Sequence, residues 1–196
     1  MTSDPVGLPG LAVMAAGVFA FGVALIMARL RAGPETPGND ARSRRSMVGI
    51  AVQGFAILIS GAGPIRVTLD PLSPLALGQA AVCAVLMTTA ITLFVWASRT
   101  MGRNWSIVAR TRPDHQLVET GPFALMRHPI YTALFLLMIA FAIAYGHSVM
   151  LLIAVPLYAL GTALRVAEEE RLLRSIFGDS YGAYAGRVKR FLPTVF

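Results

Sequence analysis

The sequence predicts an all-α protein that crosses a membrane with about five helices. Of its 196 residues, 56% are hydrophobic and only 14% are charged, and the mean hydropathy is +0.65. A soluble domain has about 25% charged residues, so this composition excludes a disordered chain, a coiled coil and an ordinary cytosolic enzyme. The length suits a compact bundle of four to six membrane helices.

Five apolar segments are the predicted spans, because crossing a bilayer takes about 20 apolar residues. They cover residues 8–30, 47–62, 75–97, 130–145 and 148–164. The first is interpreted as a retained helix rather than a cleaved signal peptide, since no basic residue precedes it. Two residues separate the fourth and fifth spans, which should form a tight hairpin, and Pro156 should kink the fifth.

The basic residues predict how the bundle is oriented. The net charge is +7, and with five spans sixteen of the seventeen basic residues fall on one side. The positive-inside rule makes that side cytoplasmic, with the N-terminus outside and the C-terminus inside. The low Lys content and abundant Ala, Arg and Gly are typical of a GC-rich bacterium, which indicates a bacterial inner membrane. No basic helix is evident, so nucleic acid is not an expected partner.

Polar residues concentrate in the second half of the chain. We expect residues 1–97 to form three membrane helices, and residues 98–196 to hold the chemistry on the cytoplasmic face. The single cysteine, Cys83, excludes an internal disulfide and a Cys-rich metal site, and its apolar surroundings predict a small buried hydrophobe. No metal site and no required protein partner are predicted.

The first candidate cluster precedes the fourth span. Gly121-Pro122 is a turn signal, and Pro129 favours an extended backbone at His128 and a helix start directly after it. Arg127 and His128 therefore lie at a helix N-terminus, where an anion is favoured. The alternative is that both residues only anchor the helix at the lipid headgroups.

The second cluster, Glu168-Glu169-Glu170, follows the fifth span. A helix places Glu168 beside Arg165 and Arg171, so a solvated, salt-bridged helix end is one interpretation. The other is a site, because acids beside a bilayer are often functional. The predicted hairpin brings this corner to face Arg127 and His128, and such a pocket would suit a zwitterionic ligand.

A third cluster lies in the tail, where Tyr181 and Tyr184 share one helical face. It predicts either an amphipathic helix on the membrane surface or a direct contact with a ligand.

Taken in order, these motifs resemble the isoprenylcysteine carboxyl methyltransferase family. The matching residues are His115-x-Leu117-Val118-x-x-Gly121-Pro122-Phe123, Arg127-His128-Pro129-x-Tyr131, Glu168-Glu169 and Phe177-Gly178-x-x-Tyr181-x-x-Tyr184-x-x-x-Val188-x-Arg190-Phe191-x-Pro193, with Gly102-Arg-Asn-Trp105-Ser106 upstream. The resemblance covers about residues 98–196, and the first three spans match only in hydropathy.

The resemblance implies S-adenosylmethionine as a cytoplasmic methyl donor, with S-adenosylhomocysteine as product. It places His115, Leu117 and Val118 along the adenosine, with Gly121, Pro122 and Pro129 in the cofactor-binding set. Arg127 and His128 would hold the methionine carboxylate or order the loop, and Tyr131 would line the methyl channel. Glu168 and Glu169 would bind the ribose or the ammonium, and Tyr181, Tyr184 and Arg187 would close over the cofactor. Arg127, His128 and Glu168 are the candidate catalytic residues.

The methyl acceptor is left open by the sequence. We expect a lipophilic small molecule or a membrane lipid, such as an isoprenoid acid, an isoprenoid thiol or a phospholipid amine, rather than a protein. A carboxylate acceptor needs no general base, whereas an amine acceptor would make a base such as Glu168 useful. The alternatives are a phospholipid amine N-methyltransferase, a sterol-reductase-like enzyme that uses a nicotinamide cofactor, and a membrane protein without catalytic activity.

Overall fold

The computed structural model describes residues 3–32, 44–105 and 116–191, and it is an all-α bundle, as predicted. Its five helices are α1 (Leu8–Ala32), α2 (Arg44–Ser60), α3 (Pro74–Met101), α4 (Pro129–Ala144) and α5 (Leu151–Arg187). Short 3-10 turns occupy Gly102–Asn104, Gly121–Ala124 and Ser148–Met150. The helices coincide closely with the five predicted apolar segments, except that α5 continues far beyond residue 164.

Local sequence signals set several helix ends. Ser73 caps α3, where its hydroxyl accepts a hydrogen bond from the backbone N–H of Ala76 at 3.3 Å, and Pro74 follows at the first helical position. Pro129 begins α4 in the same way, after a non-helical His128 (φ −127°, ψ 56°). The N–H groups in the first turn of a helix have no acceptor within that helix. Proline has no N–H and therefore suits the first position of both helices.

The helices pack in pairs that do not follow their order in the chain. Helix α3 lies between α1 and α4, whereas α5 packs mainly on α2 and much less on α4. The consecutive helices α4 and α5 are joined by the short segment 145–150, but α5 packs more extensively on α2 than on α4. Cys83 is fully buried in the α1–α3–α4 core, which confirms its prediction as a small hydrophobe.

A small cap closes one end of the bundle. Strand β1 (Pro5–Val6) pairs in parallel with β2 (Arg66–Val67), and the N–H of Asp4 donates to the carbonyl of Gly146 at 2.8 Å. The N-terminus, the α2–α3 connection and the α4–α5 turn therefore meet at this end. The polar clusters lie at the opposite end.

The chain is an integral membrane protein by the length and composition of its helices. Three helices are long and apolar enough to cross a bilayer: α1, α3 and the helix that begins at Ser148. Helices α2 and α4, with 17 and 16 residues, are shorter than a typical span. For these two, the crossing predicted from the sequence stays a prediction.

Helix α5 is too long to lie within a bilayer. Its uninterrupted part, from Leu151 to the break at Gly178, extends about 40 Å at 1.5 Å per residue, against a hydrocarbon thickness of about 30 Å. The three glutamates follow the predicted fifth span, which ends at residue 164, and their position outside the bilayer stays a prediction. The backbone remains helical through Pro156 and leaves helical dihedral angles only at Gly178 (φ 50°, ψ −121°), so the main break in α5 lies at Gly178 rather than at the proline.

Candidate functional site

A tight turn before α4 shapes one wall of the site. Gly121 has φ 60°, and a Cβ atom placed there would lie 2.7 Å from Oγ1 of Thr100. Only glycine suits this position, because the backbone conformation disfavours side chains and α3 fills the space that one would need. The turn leads the chain directly to Arg127 and His128 at the start of α4.

His128 faces the carboxylates of α5. Its Nδ1 lies 3.6 Å from Oε2 of Glu169, and its Nε2 lies 3.3 Å from Oε1 of Glu170. The Tyr131 hydroxyl, one turn into α4, donates a hydrogen bond to Glu169. The two corners predicted to meet do meet, but through Glu169 and Glu170 rather than Glu168.

Glu170 is the centre of a buried charge cluster. It accepts hydrogen bonds from Nε and Nη2 of Arg190, at 3.0 and 2.9 Å, and lies 3.3 Å from Nη2 of Arg127. Its side chain is 7% exposed, so one buried carboxylate balances His128 and two arginines. Burial alone would raise the pKa of Glu170, but the hydrogen bonds from His128 and Arg190 and the charge of Arg127 hold that pKa well below its usual range.

The same cluster changes the titration of His128. Burial by itself would lower the pKa of the imidazole, but hydrogen bonds to Glu169 and Glu170, together with their negative charge, raise it above its ordinary value. The two carboxylates therefore stabilise the protonated imidazolium relative to a histidine in water.

The C-terminal segment closes over this cluster. Backbone N–H groups of Arg127 and His128 donate to the carbonyls of Lys189 and Arg190, at 2.8 and 2.9 Å. The ring of Phe191 lies 5.9 Å from the ring of His128. Residues 188–191 thus cover the start of α4, and Arg190 provides their ionic contact with Glu170.

A cavity of about 340 Å³ opens beside the charge cluster. This volume is within the range of small-molecule sites. Its lining combines apolar side chains from α1, α3 and α5 with polar groups from α4, α5 and the preceding loop. The lining residues are Phe21, Leu25, Phe94, Met101, Trp105, Gln116, Leu117, Val118, Phe123, Arg127, His128, Pro129, Ile130, Tyr131, Leu134, Arg165, Glu169, Leu172, Leu173, Ile176, Tyr181 and Tyr184.

Most of the predicted site residues lie at this cavity. Its lining includes Leu117, Val118, Arg127, His128, Pro129, Tyr131, Glu169, Tyr181 and Tyr184. The two tail tyrosines share one buried face, with ring centroids 6.0 Å apart, and the Tyr184 hydroxyl donates to the carbonyl of Phe123 at 2.7 Å. This arrangement favours a ligand contact over a helix lying on the membrane surface.

Other predicted residues lie outside the cavity lining. Gly121 and Pro122 form the supporting turn, while Arg187 pairs at 2.8 Å with Glu119 of the loop. Glu168 is buried, pairs with Arg171 at 2.7 Å and is not among the residues that line the cavity, so its predicted role stays a prediction. His115 lies outside the described residues, as does Ser106 of the upstream motif.

Three residues of the site were not among those predicted for it from the sequence. Glu170 and Arg190 form the charge cluster, and Arg165 lines the cavity with its Cζ 4.8 Å above the ring of Tyr131. Arg165 carries a signal that could have identified it, since it directly follows the fifth predicted span and ionisable residues next to a membrane span are candidates for a functional site. Nothing in the sequence distinguishes Glu170 from its two neighbours.

Comparison with known proteins gives two findings. Residues 80–175 match the model of the isoprenylcysteine carboxyl methyltransferase (ICMT) family. A protein-S-isoprenylcysteine O-methyltransferase from Schizosaccharomyces pombe is 30% identical over 89 residues, which make up 45% of this chain and 38% of that protein. The chain therefore aligns with well under half of the length of this relative. The family match begins within α3, earlier than the predicted residue 98, and ends before Tyr181 and Tyr184.

Proposed function

Since residues 80–175 belong to the ICMT family, we propose that this protein is an S-adenosylmethionine-dependent methyltransferase that acts on a lipophilic acceptor in the membrane. The observation that carries the proposal is a single cavity with two kinds of wall. His128, Tyr131 and Glu169 form a polar end, whereas Phe21 and Leu25 of α1 contribute apolar surface. A polar methyl donor and an apolar acceptor could meet in such a cavity.

The polar wall fits the methyl donor. S-adenosylmethionine carries a carboxylate, an ammonium and a sulfonium, and the wall offers guanidinium, carboxylate and hydroxyl groups. Two buried polar atoms of cavity-lining residues, the Tyr181 hydroxyl and Nε of Arg127, have no hydrogen-bond partner among the described residues. Buried polar groups are nearly always paired, so both atoms suit a bound polar ligand.

The residues would then have distinct roles toward the cofactor. Arg127 and Tyr181 would bind its amino-acid end, and Leu117, Val118 and Tyr184 would enclose its adenosine. When bound, the cofactor supplies an activated methyl group on sulfur. The protein contributes alignment of the acceptor and exclusion of water, the main requirements of an in-line displacement.

The state of Glu169 supports a carboxylate acceptor over an amine. Its carboxylate accepts a hydrogen bond from the Tyr131 hydroxyl and lies close to the His128 imidazole and the Arg165 guanidinium. A carboxylate engaged in this way is a weak base, and an amine acceptor must lose a proton. An acid acceptor is already ionised and needs only to be positioned, so an isoprenoid carboxylate is the class of acceptor that we propose.

Ligand binding tests the proposal directly. Isothermal titration of the detergent-solubilised protein should show micromolar-range binding of S-adenosylmethionine or S-adenosylhomocysteine. His128→Ala and Glu169→Gln should weaken this binding more than Glu168→Gln, because His128 and Glu169 line the cavity and Glu168 does not. Tight binding of a nicotinamide cofactor without any S-adenosylhomocysteine signal would favour the reductase alternative and reject the methyltransferase.

The acceptor class needs a separate measurement. Transfer of a labelled methyl group to an isoprenoid carboxylate, compared with a phospholipid amine of similar hydrophobicity, should favour the carboxylate. Preferential labelling of the amine lipid would instead support the N-methyltransferase alternative.

We also propose that the site faces the cytoplasm of a bacterial cell and the N-terminus lies outside. The distribution of the basic residues supports this orientation. Labelling of single cysteines placed near each terminus should find the C-terminal position protected in intact cells and the N-terminal position accessible; the reverse pattern would contradict it.

A further inference from the structure

A polar side chain of α2 reaches toward the site from outside the family-matched segment. Gln53 is 3% exposed and lies in the contact between α2 and α5. Its Nε2 donates to Oγ1 of Thr162 at 2.7 Å, and its Oε1 accepts from Nη1 of Arg165 at 2.9 Å. Polar residues buried within membrane bundles are expensive and commonly mark functional contacts.

The two backbones approach closely around this contact. A Cβ atom on Gly161 would lie 2.9 Å from Cγ of Gln53, and one on Gly49 would lie 2.5 Å from Cγ of Arg165. Both glycines therefore leave room for the side chain that crosses from the other helix. Small residues at helix contacts commonly have this role in membranes.

The hydrogen bonds have only one consistent direction. A guanidinium group has donors and no acceptor, so the amide oxygen of Gln53 must face Arg165. The amide NH₂ is then left to donate, and the Thr162 hydroxyl accepts it. Arg165 is thus held at Nη1, while its Cζ lies above the Tyr131 ring and its Nη2 lies 3.9 Å from Glu169.

We infer that Gln53 is a positioning residue that holds the Arg165 guanidinium at the cavity wall, where Arg165 binds the anionic head of the methyl acceptor. This inference rests on the proposed function. Arg165 lines the cavity beside Tyr131 and Glu169. An arginine suits this place, because a guanidinium can bind a carboxylate through paired hydrogen bonds and needs its plane fixed to do so.

The test compares an acid with its own ester. Binding of N-acetyl-S-farnesylcysteine and of its methyl ester would be measured with the full chain in lipid nanodiscs, in the presence of S-adenosylhomocysteine. We expect the wild type to bind the acid at least tenfold more tightly than the ester. Arg165→Met should abolish this preference, and Gln53→Met should reduce it at least fivefold while the S-adenosylhomocysteine affinity changes less than twofold.

Matched variants separate positioning from general packing. Thr162→Ser keeps the acceptor for the Gln53 amide and should retain the acid preference, whereas Thr162→Val removes it at similar volume and should reduce the preference. Gln79→Met is the control on α3, since Nε2 of Gln79 donates a hydrogen bond to the carbonyl of Pro5 at the capped end of the bundle, away from the site. It should leave both affinities unchanged.

Several results would overturn the inference. If the wild type binds S-adenosylhomocysteine but has equal affinities for the acid and the ester, Arg165 does not bind the carboxylate of the acceptor. If Arg165→Met removes the preference for the acid but Gln53→Met retains it, Gln53 is only a packing residue. If Gln53→Met does not fold, equal preferences in Thr162→Ser and Thr162→Val would exclude the positioning role. Absence of S-adenosylhomocysteine binding in the wild type would instead reject the proposed function, and the inference with it.

Discussion

Replacing Glu170 with glutamine should be strongly destabilising, although the two side chains have nearly the same shape. The substitution removes the negative charge that His128, Arg127 and Arg190 share. The side chains of Arg127 and His128 are only 10% and 5% exposed, so neither can be fully hydrated after the change. Arg190 is 47% exposed and can turn toward water.

The size of the effect follows from this burial. Removing one partner of a buried ion pair costs about 3–5 kcal/mol, and we expect roughly 3 kcal/mol here because Arg190 can rehydrate. In a protein of this size, roughly 3 kcal/mol corresponds to a fall in Tm of about 6–12 °C. The affinity for S-adenosylhomocysteine should fall as well, since the contact between Arg190 and Glu170 helps to hold residues 188–191 over α4.

The assay is thermal unfolding of the purified protein in one detergent, followed by tryptophan fluorescence. Glu119→Gln is the matched control, because Glu119 pairs with Arg187 at 2.8 Å while their side chains are 35% and 70% exposed. An exposed pair contributes about 0–1 kcal/mol, so this variant should lose little. Equal Tm values for Glu170→Gln and Glu119→Gln would refute the view that burial makes Glu170 the important carboxylate.

Three further changes probe the same end of the bundle. The pKa of His128 is raised in the folded protein, so His128 contributes its full stabilisation below about pH 6.5, the ordinary pKa of histidine. This stabilisation is lost as the pH rises through the higher pKa of the folded state. The Tm of the wild type should therefore fall with rising pH more steeply than the Tm of His128→Asn. Gly178→Ala should lower the free energy of chemical unfolding by about 1–3 kcal/mol, because Gly178 has a positive φ. Gly182→Ala, in the helix that follows, should leave this free energy unchanged or raise it. Equal effects of the two substitutions would contradict the role of Gly178 in the helix break. Tyr181→Phe should weaken S-adenosylhomocysteine binding up to about tenfold without lowering Tm, because the hydroxyl it removes has no partner in the described part of the protein; a lower Tm with unchanged affinity would assign Tyr181 to packing alone.

Much of this protein could be predicted from its sequence because a membrane makes hydropathy decisive. Apolar runs placed the five helices, and Pro129 fixed the start of α4. The short connection between the last two apolar segments was enough to predict that His128 would meet the glutamates after the fifth span. These features depend on chain order and local chemistry, which the sequence contains.

Helix rotation and non-sequential packing determined the remaining features. Successive residues of an α-helix point about 100° apart, so the orientation of α5 decides which glutamate faces His128. Because α5 packs on α2, Glu169 and Glu170 turn toward α4 while Glu168 pairs with Arg171. The same packing brings Gln53 to Arg165 across 112 positions of sequence. A contact between segments so distant has no local signature, so only the tertiary structure could reveal it.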